Sequence, residues 1–202
     1  MANFGDDPAS VLILKQQLSD LESVILNMEA KRGRIFTDWL KVQTNYLNWE
    51  VGFNPSKYKR YNRGEIVQAH LGFNPGSEIG GVHYGVVMDN NEKSNPIVNI
   101  VPLGSLDPGQ TMNVLHKDEI YLGFIPGMTL KESYAIPNQF HPISKLRILR
   151  PKFAKDKVCR LTSDQLTLID LKLVQLFTKF DSRLFASAES EAATGLDEIK
   201  SK

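Results

Sequence analysis

From Pro8 to about Glu50 the apolar residues recur at steps of three and four: Val11, Leu14, Leu18, Leu21, Ile25, Met28, Ile35, Trp39, Val42, Tyr46 and Trp49 fall on one stripe. This spacing predicts a heptad-like, coiled-coil-like α-helical segment over residues 1–52. Arg32 lies on the stripe and Gly33 follows it. Glycine weakens a helix, so the pattern leaves open one bent helix and a helical hairpin. Residues 53–62 sit in "VGFNPSKYKRYNRG", where Gly52, Pro55 and Gly64 interrupt the period, and they read as a linker.

After that interruption the period becomes that of strands. "EIVQAHLGF" alternates apolar and polar residues, "GVHYGVVMD" and "PIVNIVPLG" carry β-branched runs, and Gly, Asn, Asp and Pro punctuate the intervals. "MNVLHK", "GMTLKESYAI" and "SKLRILR" are predicted as further strands, the last basic on one parity and apolar on the other. "LTSDQLTLIDLKLVQLF" predicts a helix capped at Thr162 or Ser163, with Leu166, Ile169, Leu173, Leu176 and Phe177 on its inner face. Residues 63–180 thus form the expected β domain, and the small, polar residues 181–202 a flexible tail.

Composition narrows this picture only slightly. The chain of 202 residues is long enough for one ordinary domain with an appendage. Its formal net charge of +1 gives no global field for nucleic acid, so such binding must rest on local basic clusters. The single cysteine, Cys159, forms no internal disulfide and is expected as a small core residue of a protein in a reducing compartment. His70, His116 and His141 show no metal-ligand spacing, and no metal or cofactor is expected. "MANFGDDPAS" lacks the pattern of a signal peptide and no apolar run reaches membrane-spanning length, so a cytoplasmic protein without membrane contact is expected.

The stretch with candidate chemistry is "RGEIVQAHLGFNPGSEIGGVHYGVVMDNN", in which a glycine-rich turn carrying Ser77 and Glu78 separates two strands and His83 opens the second. It resembles the MazF/PemK family of toxin endoribonucleases of bacterial toxin–antitoxin systems, matching that family's first strand, its G-S-E-x-G-G loop and the strand that follows. "NPIVNIVPLGS", "SKLRILR" and "LTSDQLTLIDLKL" continue the resemblance in the family's order, so that it covers about Arg63 to Phe177. It implies an α+β fold, an SH3-like curved antiparallel β-barrel with a C-terminal helix, usually a homodimer. It also implies metal-independent cleavage of single-stranded RNA by the ribose 2′-hydroxyl, and a separately encoded antitoxin as partner.

Carried over residue by residue, the resemblance puts His83 where the family has a catalytic arginine. Histidine titrates near working pH and serves as acid or base, but it lacks the permanent forked charge of arginine. The family's catalytic Thr or Ser aligns with Gly104, and Ser105 reaches that place only through a one-residue bulge, a feature strand glycines often mark. Glu78 completes the catalytic candidates. Ser77, Tyr84, Arg147, Arg150 and Lys152 are the candidates for holding RNA, with Tyr58 and Tyr61 as possible stacking platforms. The plainer reading makes Ser77 and Glu78 turn-stabilising groups, His83 a structural histidine and the basic runs solvated faces. With His83 and Gly104 both departing from the family pattern, a non-catalytic RNA- or protein-binding module on the same fold stands as the alternative.

Overall fold

In the computed structural model residues 3–128 and 131–178 are described; residues 181–202, expected as a tail, lie outside them. The N-terminal segment is a hairpin of two helices, α1 (Pro8–Leu26) and α2 (Ala30–Glu50). The break falls before Arg32 and Gly33. Capping chemistry decides this: the Asn27 side chain donates to the Ser23 carbonyl at 2.8 Å, and the Glu29 carboxylate accepts from the Lys31 and Arg32 N–H groups at 2.8 and 2.9 Å. Gly33 is left inside the first turn of α2.

The hydrophobic stripe is shared unequally between these helices. α1 buries none of its residues, and Leu14 and Leu18 stay exposed. α2 docks on the sheet through aromatic contacts: Trp39 stacks on His70 at 4.7 Å, Phe36 meets Phe73 edge-on at 4.8 Å, and Tyr46 is buried.

Among the described residues seven strands form one antiparallel sheet: β1 (Ile66–Gly72), β2 (Gly81–Val87), β3 (Ile97–Ser105), β4 (Ile120–Gly123), β5 (Ser133–Ala135), β6 (His141–Ser144) and β7 (Ile148–Arg150). Their order is β4-β5-β3-β2-β1-β7, with β6 also paired to β3. The expected α+β architecture is therefore present. Two expected strands are not as read. Met112–Val114 in "MNVLHK" form a short 3-10 turn, and "SKLRILR" is broken by a 3-10 turn at Lys145–Arg147, which separates Ser144 at the end of β6 from Ile148–Arg150 of β7. That turn accompanies the buried Lys145 ammonium, which donates to the Glu92 and Lys93 carbonyls at 2.8 and 3.0 Å.

Alternation along β1 feeds two apolar clusters, one on each face of the sheet. Ile66 joins Val86, Val101, Leu103 and Ala135 beneath helix α3 (Ser163–Phe177), whose Ile169 is fully buried. Val67, Ala69 and Leu71 join Val87, Val98, Ile100 and Ile148 on the other face. Thr162 caps α3 reciprocally with Gln165; Leu166 and Leu173 pack inward, whereas Phe177 remains exposed. Cys159 is half-buried against the first cluster. Among the described residues no helix is long and apolar enough to cross a membrane.

The stretch expected as a linker contributes to the packed sheet domain. Tyr61 is 0% exposed, bridges to Asn91 and donates its hydroxyl to the Pro151 carbonyl at 2.7 Å, which removes it from any role in stacking bases. Glu65, 1% exposed, accepts from Asn62 at 3.0 Å and Arg160 at 2.6 Å, and forms an ion pair with Lys59. Removing one partner of a buried pair leaves an uncompensated charge, which costs about 3–5 kcal/mol. Glu65→Ala is expected to lose stability on that scale, read as a lower denaturant midpoint with an unchanged slope.

Candidate functional site

The loop between β1 and β2 is held by side chains other than its Ser and Glu. Asn74 Nδ2 donates to the Ile79 carbonyl at 2.7 Å, while Gln139 donates to the Ser77 carbonyl at 3.3 Å and accepts the Ile79 N–H at 3.4 Å. Ser77 and Glu78 stand exposed on the loop. Glu78 lines a cleft of about 380 Å³ together with His141 and Arg147. Neither Asn74 nor Gln139 is among the residues singled out from the sequence, and His141 is weighed there only as a metal ligand. The "NPG" turn signal marks Asn74, but nothing local marks a glutamine that reaches back from residue 139.

His83 is half-buried on β2, paired with Ala69 on β1. It therefore shares the face of Ala69, opposite to that of Tyr84, whose partners are Gln68 and Leu103. The register Tyr84↔Leu103 makes Gly104 the next residue of β3 beside His83. β3 and β5 then pair in unbroken register, Leu103↔Ala135, Gly104↔Tyr134 and Ser105↔Ser133. No bulge turns the end of β3. Ser105 is exposed on the face away from His83, whereas Gly104 lies on the same face as His83.

The glycine at 104 has a steric cause. A Cβ added there would stand 2.2 Å from Tyr134 Cζ and 2.5 Å from its hydroxyl, so the tip of the phenol ring occupies the place of a side chain. Tyr134 reaches across from β5 to cover β3, an aromatic side chain shielding a strand glycine from its cross-strand neighbour. Burial, with Glu119 and then Asp107 nearby, pushes the Tyr134 phenol above its ordinary pKa and keeps it protonated.

The candidates for holding RNA divide. Arg150 on β7 donates to Gln68 Oε1 at 2.8 Å and to the Tyr84 hydroxyl at 3.5 Å, along a groove of about 440 Å³ that Met128 and Lys157 also line. Arg147 is turned elsewhere: it donates to the Leu71 carbonyl at 3.1 Å and lies 5.8 Å over the Trp39 ring. Lys152 is half-buried near Tyr58 and Trp49. Tyr84 and Arg150 are thus brought together, and Arg147, Lys152 and Ser77 lie apart from them.

No family model and no curated protein matches the chain. Among solved structures it is similar to MazF from Deinococcus radiodurans, at 15% identity over 58% of this chain and 96% of that one, with a TM-score of 0.44. It is similar to an endoribonuclease from a mycobacterial species at 13% identity, over 61% of this chain and 98% of that one, TM-score 0.41. An endoribonuclease in complex with its cognate antitoxin, also mycobacterial, is similar at 15% identity, over 57% and 92% respectively, TM-score 0.39.

Two outcomes follow from the geometry. Gly104→Ala is expected to destabilise the protein by about 1–3 kcal/mol through overpacking, and to cost nothing in a Tyr134→Ala background where the ring is gone; thermal or chemical melts of the four proteins measure this coupling. His70 is the second. Burial, and then the charge of Arg147, lowers its pKa, so the unfolded chain takes up the proton first. Its contribution is complete above the ordinary histidine pKa of about 6.5 and is lost as pH falls below it. Wild type should therefore lose more stability between pH 7 and 5 than His70→Phe, which keeps a ring under Trp39.

Proposed function

We propose that this chain is a metal-independent endoribonuclease of the MazF/PemK kind, the toxin half of a type II toxin–antitoxin pair, acting on single-stranded RNA as a homodimer and held in check by a cognate antitoxin. The observation that supports this reading most is the juxtaposition of His83 with the end of β3, on the strand that follows the Gly-rich loop. These are the segments on which the sequence resemblance rests. In the reaction the ribose 2′-oxygen forms a bond to phosphorus as the bond to the 5′-oxygen breaks. In this reading His83 takes the 2′-hydroxyl proton, and a base in that role contributes roughly 10²–10⁴-fold.

Glu78 is assigned an accessory role beside the cleft it shares with His141 and Arg147, and Arg150 with Tyr84 the role of engaging the RNA strand from the opposite face. Ser105 keeps a part only as an RNA contact, because its face is not that of His83. The alternative, a binding module without catalysis, draws on the Gln68–Tyr84–Arg150 patch, which is complete without His83.

Purified full-length protein incubated with a long single-stranded RNA in EDTA is expected to yield 2′,3′-cyclic phosphate and 5′-hydroxyl ends. His83→Ala should slow this at least 100-fold with an unchanged melting temperature. RNA bound in a salt-dependent way and left intact by folded protein, across varied sequences, would replace the enzyme reading with the binding module.

A further inference from the structure

Gly104 and Tyr134 together build a feature that the proposed chemistry has not yet used. A row of residues runs across one face at the end of the sheet: Ala69 on β1, His83 on β2, Gly104 on β3 and Tyr134 on β5. Gly104 contributes no side chain to this row, and the hydroxyl end of Tyr134 fills its place. The phenol oxygen is thereby carried from β5 to β3, leaving it about one strand spacing, ~4.8 Å, from the backbone of His83. Strand register thus puts His83 and the hydroxyl end of Tyr134 on the same face, one strand apart, and both residues are half-buried.

From this geometry, and resting on the ribonuclease reading above, we propose that Tyr134 is a catalytic residue whose hydroxyl donates a hydrogen bond to a non-bridging oxygen of the scissile phosphate while His83 takes the 2′-hydroxyl proton. The balance is simple. The 2′-oxygen loses its proton to His83 and bonds to phosphorus, the bond from phosphorus to the 5′-oxygen breaks, and the 5′-oxygen leaves with a proton returned from the protonated histidine or from water. Tyr134 keeps its proton throughout and stabilises the charge that grows on the phosphorane. The acidic neighbours and burial that hold the phenol protonated suit a donor in this role. A bulky aromatic paired to a glycine also explains why no hydroxyl residue stands at position 104: there is no room for its Cβ.

The test is Tyr134→Phe in the full chain, a change that removes one oxygen and leaves the ring over Gly104. Cleavage of single-stranded RNA in EDTA is expected to lose 10²–10³-fold in kcat, the loss seen when one such donor is removed, with KM within threefold and an unchanged melting temperature. A second variant, Tyr134→Gly with Gly104→Ser, moves a hydroxyl onto β3 and is expected to recover at least tenfold over Tyr134→Gly alone. Wild-type cleavage with Tyr134→Phe equally fast overturns the role of Tyr134 and leaves the ribonuclease intact. Absence of cleavage by folded wild type overturns the ribonuclease reading and this proposal with it. Should Tyr134→Phe melt early, failure of the double variant to exceed Tyr134→Gly decides against the proposal.

Discussion

Glu65 lies at the entry to β1 with its carboxylate out of water, and two separate stretches of chain supply its partners: Lys59 and Asn62 from the segment after α2, and Arg160 from the approach to α3. A carboxylate removed from water demands such company, because its desolvation is offset only by several well-placed donors. Meeting that demand brings the N-terminal connection, the start of the sheet and the entry to α3 to one point. The start of β1 determines the parity of the strand, and with it which face each later residue takes. The position of His83 on the face of Ala69 is a downstream result of where β1 begins.

That parity divides the surface into two chemical regions. One face near the sheet's end carries the imidazole of His83 and the phenol of Tyr134; the other carries the Gln68, Tyr84 and Arg150 side chains. Adjacent residues such as His83 and Tyr84 thus belong to different environments although they are neighbours in sequence. α2 adds a third boundary, since Trp39 covers His70 and draws the Arg147 guanidinium toward itself. A basic residue recognised from strand parity alone is in this way diverted into packing.

The parts of the fold that were legible from the sequence are those whose reasons are local. β1, β2 and β3 follow from alternation and β-branched runs, and α3 from its 3.6-residue period and the Thr162 cap. β4 escaped notice because Ile120–Gly123 is short and abuts the charged Asp118 and Glu119. The turn at Lys145 was hidden for another reason: its ammonium answers to carbonyls more than fifty residues away in sequence, at Glu92 and Lys93. At the proposed site, His83 and the Gly-rich loop could be marked from the sequence, whereas Tyr134 could not. Its relation to Gly104 exists only through strand pairing, and the one local hint was a glycine near the end of an otherwise apolar strand, which marks close approach by something unspecified.

The ring over Gly104 ties two positions into a single heritable unit. A side chain at 104 meets an occupied space unless residue 134 has already become small, and a small residue at 134 first leaves a bare strand glycine uncovered. Each single step is therefore worse than either end point. Exchange of either residue thus proceeds most readily as a paired change, since the space above β3 can be filled from one strand or the other but not from both.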